Sequence, residues 1–184
     1  MAQVKGTAVL ASLRYVRERF GEATLDRVLA ALPEADRAAL GHGVLASSWY
    51  PMAAFLRFMQ EAERQLGPQE SDLLRRMGRA SSDYALRGIY KIFFKVGSPE
   101  FIIARAAPVF SSYYDTGQMK VVESVPGHAE MELIGFGGAR EFCERVHGWM
   151  ERTLELSGAR NVRLAHTACV HRGEAVCRFE AIWG

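Results

Sequence analysis

Residues 160–183, RNVRLAHTACVHRGEAVCRFEAIW, predict a β-hairpin: 160–170 and 175–183 alternate as strands, and Arg172-Gly173-Glu174 supplies a three-residue loop with a glycine for the left-handed position. A loop of that length pairs Cys169 with Cys177 across the hairpin. Directly opposed residues on one face hold their Cβ atoms roughly 5 Å apart, which suits two thiolates on one ion at about 2.3 Å each. His166 lies three residues before Cys169, so strict alternation points it to the opposite face. It joins the pair only if the strand bulges or begins later.

A further thiol lies upstream. Cys143 sits in an amphipathic run, 139–156, with Phe142, Val146, Trp149, Met150 and Leu154 near helical spacing. A helix packed beside the hairpin would complete the set Cys143, His166, Cys169 and Cys177, the donor types and number of a closed tetrahedral zinc site. His171 is the alternative fourth ligand if His166 points away. Unpaired cysteine is among the most buried residue types, so three free thiols in a plain core are the competing explanation. A disulfide is another, but three cysteines leave one over. Residues 1–10 hold one lysine and no long apolar core, so no secretory leader is read and a cytoplasmic protein is expected.

Before this region, 118–125 and 128–135 alternate as strands about a Pro126-Gly127 turn, which makes the C-terminal part β-β-α-β-β. The first two-thirds are helical. Val9, Leu10, Leu13, Val16 and Phe20 form one stripe over 4–20, stopped by Gly21. Thr24 caps 25–32, which Pro33 ends, and 34–40 is a short helix. A loop over 41–48 delivers Trp49-Tyr50 to a helix with Pro51 at its first position, continuing over 52–66. Residues 69–96 read as helical with a kink near Ala80-Ser81-Ser82, and Ser98 caps 99–114, kinked or split by Pro108. The expected fold is therefore α+β: an N-terminal multi-helix layer, 1–116, packed on a C-terminal four-stranded antiparallel sheet, 117–184, as a single domain over 1–184.

Hydrophobic and charged contents of 49% and 24% over 184 residues are ordinary for a globular chain with one core. The net charge of +2 gives no electrostatic reason to invoke nucleic acid. Arg14, Arg17 and Arg19, and Arg75, Arg76 and Arg79, read as solvated helix faces. No stretch reaches eighteen consecutive apolar residues, so no membrane span is expected. Gly135-Phe136-Gly137-Gly138 lacks the spacing of a nucleotide-binding turn, and the five histidines form no acid–base set, so no enzyme is expected.

Residues 141–183 resemble the V4R domain, the 4-vinyl-reductase-type small-molecule-binding module, in their Cys-x7-Cys ending followed by Phe-Glu: Cys169, Cys177, Phe179 and Glu180. In aromatic-sensing activators built on that domain, the resemblance implies zinc held by an upstream cysteine, an acidic residue and the cysteine pair. His166 stands where the acidic ligand would be. The N-terminal half resembles the haem-nitric-oxide-binding family of the same broad superfamily, in Lys5-Gly6-Thr7 before a helix ending near Phe20-Gly21-Glu22, and in Glu130-Met131-Glu132 before a glycine-rich turn. The pattern is also similar to myxobacterial paralogues of unknown role, in Trp49-Tyr50-Pro51, Met77-Gly78-Arg79 and Gly97-Ser98-Pro99. Two departures argue against haem: no histidine occurs between His42 and His128, and 133–140 offers no Tyr-x-Ser-x-Arg clamp for the propionates.

The resemblances imply a non-enzymatic sensing or signalling domain with a cavity between helices and sheet and with structural zinc. Trp49, Tyr50, Tyr90, Phe94, Tyr113 and Tyr114 are the candidate lining, for an apolar small molecule or an acyl chain. The same residues would also make a plain hydrophobic core. The alternative is an interaction scaffold without ligand, like the vesicle-tethering subunits that share the fold, which pairs as a homodimer or docks a signalling partner.

Overall fold

The computed structural model describes residues 1–86, 98–136 and 139–184. Along the chain run β1 (Gln3–Lys5), α1 (Gly6–Phe20), α2 (Glu22–Ala30), α3 (Glu34–Leu40), β2 (Trp49–Pro51), α4 (Met52–Leu66), α5 (Leu73–Leu86), α6 (Pro99–Ile103), α7 (Ala106–Tyr113), β3 (Gln118–Val125), β4 (His128–Ile134), α8 (Arg140–Leu156), β5 (Arg163–Ala168), a 3-10 turn (Val170–Arg172) and β6 (Cys177–Ile182). The α+β architecture expected from the change of period near residue 117 is the one observed.

The larger sheet has the order β3-β4-β6-β5, with every neighbour antiparallel. Its two central strands alternate cleanly. Ala129, Met131 and Leu133 of β4 and Cys177, Phe179 and Ala181 of β6 are buried. The opposite face carries charge: Arg178 reaches Glu130 at 3.0 Å and Glu132 at 2.6 Å, and His128 lies between Glu123 (3.3 Å) and Glu180 (3.2 Å). A sheet of this kind packs helices on one face and meets water on the other. Among the described residues, no helix is long and apolar enough to cross a membrane.

Several expectations for the helical layer are corrected. Trp49-Tyr50-Pro51 does not open a helix; it is β2, paired antiparallel with β1, and Pro51 caps α4. A Cβ on Gly6 would fall 2.0 Å from the Leu45 carbonyl oxygen, so the loop carrying Trp49 lies directly on the start of α1. Gly21, at φ +91°, both ends α1 and precedes the first residue of α2, which leaves Thr24 inside the helix and not at its cap. The 99–114 segment is split, at Ala104 and Arg105. Ala104 is the residue whose carbonyl the Pro108 ring would strike in a continuous helix. Helix α5 runs unbroken through Ala80-Ser81-Ser82, where Ser81 donates to the Met77 carbonyl at 2.9 Å and Ser82 meets Thr153 of α8 at 2.9 Å. Residues 87–96 of that predicted helix lie outside the described residues.

Helix α8 is buried on nearly its whole circumference, between the sheet and α5. Two glycines permit the closeness of α5 and α8. A Cβ on Gly78 would sit 1.9 Å from the Arg145 carbonyl oxygen, and one on Gly148 the same distance from that of Arg75. Flanking the crossing, Arg75 pairs with Glu144 at 2.5 Å, Arg79 with Glu151 and with Glu155 (2.8 Å), and Arg152 with Asp83 at 2.9 Å. Arg75 and Arg79 therefore serve the helix interface and are not a solvated face. Gly78→Ala or Gly148→Ala is expected to force the helices apart and to destabilise the fold by about 1–3 kcal/mol each, read as a lower denaturant midpoint; an unchanged midpoint would contradict the backbone contact.

Candidate metal centre and cavity

The hairpin is built differently from the three-residue loop expected. β5 ends at Ala168 and β6 begins at Cys177, which is in register with Leu133 of β4 and not with Cys169. The backbone of Cys169 is used locally. Its N–H donates to the Glu174 carboxylate at 2.6 Å, and its carbonyl accepts from Arg172 (2.8 Å) and Glu174 (3.2 Å). Those bonds close a compact turn, with Gly173 at φ +93°, and fold Cys169 back toward Cys177 without a ladder pair. The register shifts between His166 and Ala168, a bulge at Thr167 that lets both His166 and Cys169 turn inward.

α8 brings Cys143 to the same point. The three Sγ atoms are 3.5 Å (Cys143 to Cys177), 3.8 Å (Cys177 to Cys169) and 4.0 Å (Cys169 to Cys143) apart, all three thiols free and buried. A ring nitrogen of His166 joins them, with all four donor atoms within 4.8 Å of one another. Three thiolates about 2.3 Å from one tetrahedral ion would lie about 3.8 Å apart, so the sulfur triangle has the size a metal requires. The His166 ring is stacked on Phe179 at 4.4 Å, nearly parallel, and its Nε2 is buried without a hydrogen-bond partner among the described residues. A buried ring nitrogen left unbonded costs free energy that a ligated ion would recover. His171 stands in the exposed 3-10 turn and is not part of the group. His147 is buried and bonds the Leu164 carbonyl at 2.9 Å, tying α8 to β5.

On the other side of α8 lies a cavity of about 960 Å³, walled by α1, α5, α6, α7, α8 and the inner strands through residues such as Ala8, Ser81, Ile103, Phe110, Met131 and Met150. Of the aromatic candidates, Trp49, Tyr113 and Tyr114 line it. Tyr50 does not: its ring lies against Gly6 and its hydroxyl accepts from the Leu45 N–H at 2.7 Å. Tyr90 and Phe94 lie outside the described residues. Sequence reasoning missed Arg145, which lines the cavity at 2% exposure. Its spacing carried a signal, three residues after Phe142 and four before Trp149, which places a cation on an apolar helix face.

The profile of one family, described as a protein of unknown function (DUF2378), matches residues 7–183. The chain belongs to the DUF2378 family. No curated protein matches this DUF2378 chain. Among solved structures, it is similar to the Fe(II) unliganded H-NOX protein from K. algicida, with TM-score 0.74, 14% identity and 98% of this chain against 96% of that one. It is also similar to an H-NOX protein from S. oneidensis in the Fe(II)NO ligation state, with TM-score 0.76, 11% identity and coverages of 98% and 99%. At such identities the likeness is one of fold, and it agrees with the haem-nitric-oxide-binding-like architecture read from the sequence.

In this DUF2378 member, burial pushes the Cys143 thiol far up, reinforced by Cys177 and Cys169, and burial likewise raises Cys177 against an opposing Val170 N–H bond. Burial lowers His166, helped by the nearby Arg172 cation, so the imidazole is held neutral, the ligating form. In the metal-free chain the Cys143 and Cys177 thiols ionise at about pH 8.5 when unfolded but keep their protons when folded, so the stability these two contribute is complete below that pH and is lost as pH rises beyond it. With chelator present, the denaturation midpoint should fall between about pH 8 and about pH 10, and saturating zinc should abolish that fall by holding the thiolates. Identical alkaline profiles with and without metal would count against a thiolate-bound ion.

Proposed function

We propose that this chain is a non-enzymatic small-molecule-binding signalling domain: the cavity holds an apolar ligand or an acyl chain, and zinc at Cys143, His166, Cys169 and Cys177 fixes the helix that forms the cavity's rear wall. The observation that carries this is the sulfur triangle of 3.5–4.0 Å edges beside an unbonded His166 nitrogen. Three cysteines and one histidine form a closed set, with no position left for a reactive water, so the ion would stabilise and not catalyse. Soft thiolates in tetrahedral array favour zinc over magnesium or calcium. The V4R resemblance of 141–183 supports the same ion.

Ligand binding is supported by the cavity's size and wall. About 960 Å³ is at the upper end for small-molecule sites, and most of its lining is aliphatic or aromatic. The fold is that of H-NOX proteins, one of which was solved with Fe(II)NO. The commonest haem ligands give no support to haem as the occupant. Neither histidine nor cysteine lines the cavity among the described residues, and 87–97 contains neither. The charged outer face of the sheet, with Arg178 between Glu130 and Glu132, gives no support to a scaffold pairing through that face.

Elemental analysis of freshly purified protein should find one zinc per chain. Cys143→Ser or Cys177→Ser should abolish it, and His166→Ala should weaken zinc binding at least as much as the about 10–100-fold cost of losing an outer partner, while His171→Ala leaves it unchanged. Stoichiometric zinc in the Cys143→Ser protein would overturn the assignment.

A further inference from the structure

Arg145 is the most deeply buried cation among the described residues whose other contacts are all neutral. Its Nε donates to Ser12 Oγ at 3.1 Å, Nη1 to the Tyr114 hydroxyl at 3.1 Å, and Nη2 to Ser81 Oγ at 2.8 Å and the Ala8 carbonyl at 3.3 Å. Phe55 lies beneath the guanidinium at 5.3 Å. No carboxylate of the described residues is within ion-pair distance, although Arg75, Arg79 and Arg152 around it all have one. Nor can the remaining residues supply one, because 87–97 and 137–138 contain neither Asp nor Glu.

A charge taken out of water without a counter-ion costs several kcal/mol even after relaxation. Four neutral acceptors lower that cost but leave the charge itself uncompensated. A chain needing only a brace between α1, α5 and α8 could place an uncharged side chain there. The position also opens on the cavity: Arg145, Ser81 and Tyr114 all line it.

We propose that the occupant of the cavity is an aliphatic chain ending in an oxyanion, whose head sits on Arg145 and Tyr114 and whose tail runs along Ile103, Phe110, Met150 and Leu154. This rests on the cavity being a ligand site, as set out above. The donors suit such a head. Four of the five guanidinium N–H groups are used within the protein, leaving one on Nη1. The Tyr114 hydroxyl accepts from Nη1, and its own proton has no acceptor among the described residues. Burial keeps that phenol protonated, against the pull of Arg145, so it remains a donor. Two donors 3.1 Å apart in the wall of a greasy cavity match an oxyanion, for which charge-assisted bonds are the strong ones. The serine hydroxyls hold the fork in place, since Ser12 and Ser81 spend their protons on the Ala8 and Met77 carbonyls and turn lone pairs to the guanidinium.

The test compares hexadecanoate, hexadecyl phosphate and hexadecanol by calorimetric titration into zinc-loaded full-length protein. One of the two anions should bind about 10–100-fold more tightly than the alcohol, and which of them leads identifies the head as carboxylate or phosphate. Arg145→Gln should bring the anion down to the level of the alcohol. Should that variant fail to fold, Tyr114→Phe, which keeps the ring and the guanidinium, should narrow the preference several-fold. Equal binding of anions and alcohol to the unmodified protein would overturn the oxyanion head and leave the apolar cavity standing. Absence of binding by all three would overturn both.

Discussion

The backbone contact between α5 and α8 organises everything else in the molecule. With no side chain at Gly78 or Gly148, the two helices touch through Arg145 and Arg75 carbonyl oxygens, and α8 is drawn into the centre of the fold. A helix so placed must satisfy two surroundings at once. Toward β5 and β6 it presents Cys143 and His147, and toward the cavity it presents Arg145, Trp149 and Met150. Cys143 and Arg145 are two residues apart, about 200° around the helix axis, so one short sequence serves both faces. The arginine–glutamate pairs at the rim of the crossing are part-exposed and contribute modestly; the glycines set the distance.

Much of this was legible in the chain, and the exceptions have physical causes. The switch from period 3.6 to period 2 after residue 117 identified the α+β class and the four strands, because patterning reports which face meets the core whatever the tertiary detail. Turn geometry was less readable. Cys169 and Cys177 looked like directly opposed hairpin residues, but the Glu174 carboxylate captures the Cys169 N–H and replaces the ladder with a 3-10 turn. The cysteines still converge, by a folded-back turn and not by register. Trp49-Tyr50-Pro51 was misread for a related reason: three residues can pair with β1 only through the long-range contact that Gly6 allows, and no local pattern announces it.

Site residues divide in the same way. The cysteine set could be picked out by composition, since only three cysteines exist and the hairpin holds two of them. His166 depended on a bulge at Thr167 that alternation alone argues against. Of the aromatic candidates within the described residues, Trp49, Tyr113 and Tyr114 reach the cavity, while Tyr50, whose hydroxyl accepts from the Leu45 N–H, does not. The more informative residue was the one that broke the pattern, Arg145 on an otherwise apolar face.

The two features of α8 also explain each other. A buried arginine is sensitive to sub-ångström shifts, since its bonds to Ser12, Ser81, Tyr114 and Ala8 reach two helices, α1 and α5, and the residue that follows α7, and each must be met together. A helix free to slide would break them and strand the charge, at the full penalty of an unsatisfied buried cation. A metal joining Cys143 to the terminal hairpin would fix α8 at one end of the sheet face while the glycines fix it against α5. Those two constraints would act on different sides of one helix, with the cavity along the side that remains.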